Sequence, residues 1–144
     1  MAKQEEIIDS PVGWVAKHIR RYIETDGKEG HRYNGMPTLL LTTRGCQSGK
    51  LYRTALAYGQ DGDRYLLVAS NGGATEDPSW YRNLVANPEV ELQVKADKFK
   101  ARARTATPEE KPPLWQIIVK VLPRYDQYQA KAGRAIPLVI LERI

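Results

Sequence analysis

The 144-residue sequence predicts one α+β domain, mainly β: a six-stranded antiparallel barrel with an N-terminal helix and peripheral helices. Three observations carry that prediction. Short apolar runs over 38–44, 52–59, 64–70, 90–94, 99–105 and 136–141 are joined mostly by hairpin signals. Helical periodicity is confined to segment 1–30, to an insertion after Pro78 and to the stretch after Thr105. The strands do not alternate with regular helices, which argues against a doubly wound sheet.

The elements follow in chain order. Ser10-Pro11 is a helix start, because serine caps free amides and proline suits the first helical position. Val12, Val15, Ile19, Tyr22 and Ile23 recur at helical spacing, and the helix is expected to fade near Asp26-Gly27. After the loop KEGHRYNGMP, Thr38–Arg44 reads as a buried strand, GCQSGK as a turn and Tyr52–Gly59 as the returning strand. Asp61-Gly62 opens a hairpin into Arg64–Ser70. Asn71-Gly72-Gly73 is loop, and Asp77-Pro78 caps the short helix SWYRNLVAN, which Asn87-Pro88 ends. Val90–Val94 and Phe99–Thr105 pair as a second hairpin around Ala96-Asp97. Thr107-Pro108-Glu109-Glu110 is a capping box whose helix runs mainly over Leu114–Leu122. Tyr125–Lys131 is a brief helix, and Ile136–Leu141 the last apolar strand.

Composition narrows the function. The chain is 42% hydrophobic, which suffices for a core and excludes global disorder. Its longest apolar run, Ala135–Leu141, is far short of the ~20 residues that span a bilayer. The acidic start MAKQEEIIDS is unlike a signal peptide, so a soluble, cytoplasmic protein is expected. The single cysteine, Cys46, cannot close an internal disulfide or supply a Cys-rich zinc site, and no metal-ligand spacing occurs. The net charge is +5, with a sequence pI near 9.3. No acidic residue lies between Glu29 and Asp61, whereas Arg32, Arg44, Lys50 and Arg53 do. A second basic cluster runs from Lys95 to Arg104. Such stretches attract anions.

The turn Gly45-Cys46-Gln47-Ser48-Gly49-Lys50 is not a P-loop: three residues separate its glycines, and Leu51 follows the lysine. It offers backbone amides with Arg44, Lys50 and Arg53 nearby, the makings of an anion nest or of an ordinary hairpin. Ser70-Asn71-Gly72-Gly73-Ala74 lets a flat ligand approach the backbone, or simply turns the chain ahead of a core tryptophan, Trp80. Tyr125 and Tyr128 share a helix face, suited to packing or to hydrogen-bonding a carbonyl oxygen. His18 and His31 are the only histidines, and none neighbours Cys46 to activate it. An organic cofactor is the better source of reactivity.

From Thr38 onward the chain resembles the deazaflavin-dependent nitroreductases, the actinobacterial reductases that use reduced coenzyme F-420. The resemblance is carried by LLTTRGCQSGK, YLLVASNGGATEDPSWYRNLVANPEVELQV, ATPEEKPPLWQ and PRYDQYQAKAGRAIPLVILE. It implies a split β-barrel over 1–144 and hydride delivery to an electron-poor quinone, activated alkene or nitro compound. It implies that the turn with Ser48, Gly49 and Lys50 faces the cofactor's phosphate and acidic tail, and that Arg44, Gln47, Arg53 and Thr54 also bind the cofactor. Ser70, Asn71 and Gly72 would border the ring, Trp80 would wall the pocket, and Val68, Ala69, Gly73 and Ser79 would also bind the cofactor. Tyr125, Tyr128 and Ser70 would be the catalytic residues, and the helix bearing Tyr22 would help close the pocket. FMN is the less favoured cofactor. Peripheral membrane contact through the first helix is implied by analogy; monomer and homodimer both stay open. Gln47 and Asn71 stand where relatives often carry lysine. Tyr52 stands where they carry arginine, and Arg53, one position on, points to the other face of a strand. The rival readings are a non-catalytic flavin or deazaflavin storage protein and a nucleic-acid-binding barrel. The second is disfavoured, because only Phe99 lies among the basic residues from Lys95 to Arg104.

Overall fold

The computed structural model describes residues 6–33 and 36–144; residues 1–5 of the expected N-terminal segment and Asn34-Gly35 of the following loop lie outside them. The strands are β1 (Ile7–Asp9), β2 (Arg32–Tyr33), β3 (Met36–Arg44), β4 (Leu51–Ala57), β5 (Gly59–Asp61), β6 (Arg64–Val68), β7 (Glu89–Val94), β8 (Asp97–Thr105) and β9 (Leu138–Arg143). The helices are α1 (Gly13–Glu24), α2 (Ser79–Ala86), α3 (Lys111–Val121) and α4 (Arg124–Ala132), with a 3-10 turn at Asn71–Gly73.

Hydrogen-bonded neighbours run β1-β4-β3-β7-β8-β9-β6-β5, and β2 attaches to β3. Only β1 pairs in parallel, with Ile7 opposite Leu51 and Asp9 opposite Arg53 on β4. The α+β class stands, but the six-stranded antiparallel barrel is corrected: the described sheet has nine strands, is mixed, and its path ends at β1 and β5 without closing. The reasons are local. Ile7–Asp9 is three residues long, too short to show a period. The expected strand over 52–59 breaks at Tyr58, whose buried ring enters the core and whose N–H bonds to the Pro37 carbonyl at 3.1 Å. Before that break β4 pairs with β3, and after it β5 pairs with β6.

Alternation distributes the apolar runs between the two faces of the sheet. Leu39, Leu41, Leu67, Leu92, Val139 and Leu141 join one buried cluster, which α2 closes with Leu84. Their neighbours Leu66, Val68, Leu138 and Ile140 face the other way, onto Leu114 and Ile118 of α3 and Tyr125 of α4. Leu40 faces a third cluster, with Val15, Ile19 and Tyr22 of α1. Each strand buried on both sides therefore reads as a continuous apolar run, as the sequence pattern requires.

The helix ends account for themselves. Ser10 Oγ accepts the Val12 N–H at 3.3 Å, so α1 starts slightly later than Pro11. Beyond its C-terminus Gly27 adopts φ +79° beside β7, where a Cβ would stand 2.5 Å from Lys95 Cα. Tyr22 fixes α1 to the sheet: its hydroxyl accepts the Lys95 N–H at 2.7 Å and donates to the Thr38 carbonyl at 3.0 Å. At the start of α3, Thr107 Oγ1 accepts the Glu110 N–H and a Glu110 carboxylate oxygen accepts the Thr107 N–H, the reciprocal capping box.

Candidate active site

The site begins with the turn between β3 and β4. The Gly45 N–H donates to the Lys50 carbonyl at 2.7 Å, and the Gly49 N–H to the Gly45 carbonyl at 3.0 Å. Arg44 Nη1 donates to the Gly49 carbonyl at 2.6 Å, so part of its guanidinium is committed to holding the turn. Ser48 Oγ accepts the Lys50 N–H and lies 2.8 Å from the Tyr52 hydroxyl. Gln47 and Lys50 are exposed on the outside of this turn.

Asn83, buried on α2, anchors the turn to the body of the protein. Its Oδ1 accepts the Cys46 N–H at 3.1 Å and its Nδ2 donates to Thr43 Oγ1 at 3.2 Å. Sequence reasoning did not single it out. The signal was a polar residue on the apolar face of the short helix, between Trp80 and Leu84.

Two depressions meet beside this anchor, sharing Tyr52, Ser79 and Asn83. One, of about 140 Å³, lies against Ile8, Thr54 and Trp80. The other, of about 260 Å³, lies against Gln47, Ser48 and Arg82. Together they form a groove with an aromatic end, a hydroxyl-lined waist and an end built of exposed turn and guanidinium. Thr54, Ser79, Trp80 and the turn are thus brought together as expected. Arg53 is not aimed at the turn. It stands opposite Thr42 in register, so strand alternation turns its side chain away from Tyr52 and Thr54. There Asp9 of β1 takes it in a bidentate pair, Nε to Oδ1 at 2.6 Å and Nη2 to Oδ2 at 3.2 Å.

The other segment expected to border the ring is the loop after β6, which lines neither depression. Val68 belongs to the cluster under α3 and α4, and buried Ala69 donates its N–H to the Pro137 carbonyl. Ser70 is buried, and its carbonyl accepts the Gly73 N–H at 2.9 Å. Asn71 has φ +48° and donates from Nδ2 to the Glu76 carbonyl. At Gly73 (φ +84°) the room left by the missing Cβ is used by α4: Lys131 Cδ would stand 3.2 Å away and Tyr128 Cα 3.4 Å. Tyr128 is half-buried there. Tyr125 is enclosed with Trp115, their ring centroids 6.4 Å apart. Burial, and secondarily Tyr128, push the Tyr125 phenol far above its ordinary pKa, so it stays protonated.

A residue missed from sequence ties this loop together. Arg134, after α4, donates to the carbonyls of Ala69, Ser70, Ala74 and Glu76 and pairs with the Asp77 carboxylate at 2.6 Å. Its partners lie 57 to 65 positions upstream, so no local pattern could reveal it.

The coenzyme suggested by the sequence joins a flat ring to a phosphate and an acidic tail. The side chains fit it: the ring suits the Trp80 end, and the anionic part suits Ser48, Lys50 and Arg82 at the other. No group of three or more His, Cys, Asp or Glu side chains placed to hold a metal occurs among the described residues.

A mixed sheet flanked by helices, with an aromatic depression beside one rimmed by polar and cationic side chains, is the architecture of a small cofactor-binding domain. The profile of the F420H(2)-dependent quinone reductase family matches residues 14–143, and the chain belongs to that family. An F420H(2)-dependent quinone reductase of Mycobacterium tuberculosis is 42% identical, over 90% of this chain and 96% of the relative. Among solved structures, an F420-H2 dependent reductase (FDR-A) is 38% identical with TM-score 0.69, covering 74% of this chain and 94% of that one. A protein described as a domain-swapped dimer is 36% identical with TM-score 0.71, covering 92% of this chain and 100% of that one.

Proposed function

We propose that this protein oxidises reduced coenzyme F-420 with a quinone as acceptor. The observation that carries the reading is the pair of adjoining depressions, one at Trp80 and Thr54 and one at the turn residues Gly45–Ser48, which share Tyr52, Ser79 and Asn83. Family membership and the name of the 42%-identical relative support the same cofactor and acceptor.

When bound, the coenzyme supplies a hydride from C5 of its reduced ring. The protein's part is alignment. Lys50 and Ser48 hold the phosphate and acidic tail, with Arg82 beside them; the amides of Gly45, Cys46, Gly49 and Lys50 are spent on closing and anchoring the turn. Trp80 and Thr54 flank the ring, and the backbone of Ser70, Asn71 and Gly72 borders its edge. Tyr128 donates a hydrogen bond to the acceptor oxygen, and Tyr125, packed behind it, holds that ring in place. Formation of the hydroquinone takes one hydride and one proton, and the proton enters from solvent at the half-buried Tyr128 side.

Mixing the protein with reduced coenzyme and menadione tests this reading. Multiple-turnover oxidation of the coenzyme, dependent on the protein, is expected. Binding without oxidation would point to a storage protein instead.

A peripheral membrane position fits the acceptor. Trp14, 60% exposed, shares a face of α1 with Lys17, an apolar wedge beside a cation. Co-sedimentation with anionic vesicles, reduced in the variant Trp14→Ser, is the expected result. Among the described residues no helix is long and apolar enough to cross a membrane. The domain-swapped relative supports a homodimer, which light scattering checks.

A further inference from the structure

We infer that Arg134 is the positioning residue that fixes the distance between the ring-side loop 69–77 and the tyrosine helix α4, an inference that rests on the function proposed above. Its guanidinium collects the carbonyls of Ala69, Ser70, Ala74 and Glu76 and the Asp77 carboxylate, at 2.6 to 3.5 Å. Nε serves Ala74, Nη1 serves Asp77, and the two N–H of Nη2 serve Glu76 and, shared between them at 3.3 and 3.5 Å, Ala69 and Ser70; an ammonium with three donors has no fork to span this set. Only 18% of the side chain is exposed, so these bonds are partly sheltered from water.

The clamp is rigid at both ends. On the α4 side, Gln129 Nε2 donates to the Arg134 carbonyl at 2.5 Å, and Gln129 Oε1 accepts the Ile136 N–H at 2.9 Å. On the other side Asp77 lies two residues before α2, and its carbonyl accepts from Arg82 Nη1 at 2.9 Å. Between them Gly73 lies against Tyr128. Arg134 is therefore the shared hub of three segments: the loop that borders the ring, the helix carrying Tyr125 and Tyr128, and the entry to the helix carrying Ser79 and Trp80.

Hydride transfer needs donor and acceptor within near-attack range, and a displacement of about 1 Å can cost on the order of 100-fold in rate. Loosening this hub changes that separation without removing any group that touches the coenzyme's anionic part. The effect therefore falls mainly on the transfer rate, with a smaller change in affinity.

The test measures single-turnover oxidation of bound reduced coenzyme by menadione, at saturating concentrations of both, in wild type, Arg134→Met and Arg134→Lys. Coenzyme Kd and melting temperature are measured alongside. Expected for Arg134→Met are a Kd within a few-fold of wild type and a rate about 10- to 100-fold lower. Arg134→Lys keeps the pair with Asp77 and is expected to recover part of the rate. The proposal is overturned if the folded Met variant, or the Lys variant should Met fail to fold, transfers at the wild-type rate. It is equally overturned if the loss appears only in Kd. A wild-type protein that binds the coenzyme but never reduces the quinone overturns the functional reading, and this inference with it.

Discussion

The two segments assigned to the coenzyme in the proposed function are held in opposite ways. The turn at 45–50 is closed by its own short-range bonds, with Asn83 as the one anchor from α2 among the described contacts. The loop at 69–77 is gathered by Arg134, a side chain about sixty positions away. A locally closed turn keeps its exposed Lys50 available to an anionic tail. A remotely clamped loop instead transmits the position of α4 to the ring side. The first arrangement suits affinity and the second suits geometry.

The largest effect expected comes from the foundation of the second segment. Ile118 is fully buried between α3 and the sheet. Ile118→Ala is expected to lose about 2–5 kcal/mol of stability, read by urea denaturation, and to loosen α4. Next comes the anchor of the first segment. Asn83→Ala leaves the Cys46 N–H without its partner and is expected to cost about 1–3 kcal/mol, with weaker coenzyme binding in fluorescence titration. Lys50→Ala should leave the melting temperature unchanged while weakening coenzyme binding about 10-fold, the size of one charge-assisted hydrogen bond. Lys50→Ala with unaltered affinity would erase the contrast between the segments.

The smallest effect is a pH dependence at the head of α3. Arg104 chiefly, with the Thr107 N–H next, holds the exposed Glu110 carboxyl down at about 2. Because this pKa is lowered on folding, the stabilisation is present above the ordinary carboxylate pKa of 4.5 and fades as pH falls from there towards 2. Thermal melts from pH 6 to pH 2.5 should show a slightly shallower acid loss in Glu110→Gln than in wild type.

What could be read in advance follows the same division. The apolar runs TLLLTTR, RYLLVAS and PLVILE, the Thr107–Glu110 box and the turn residues act within a few positions, so sequence carried them. The one-residue offset at Arg53 was legible too, since strand alternation alone turns it away from Tyr52 and Thr54. What escaped depends on distance: β1, too short for a period; the bend at Tyr58, set by the core; Asp9 meeting Arg53 across 44 positions; and Arg134. The open-shelf reading of the glycine pair was incomplete at Gly73, because α4, whose docking no local pattern fixes, fills that side.

The account turns on the groove seating a flat ring at Trp80 and an anionic tail at the turn. Fluorescence titration with coenzyme F-420, run against FMN at low and high salt, tests that most directly. Tighter binding of the coenzyme than of FMN, weakening markedly as salt rises, is the result predicted. Equal affinity for both, indifferent to salt, would contradict it.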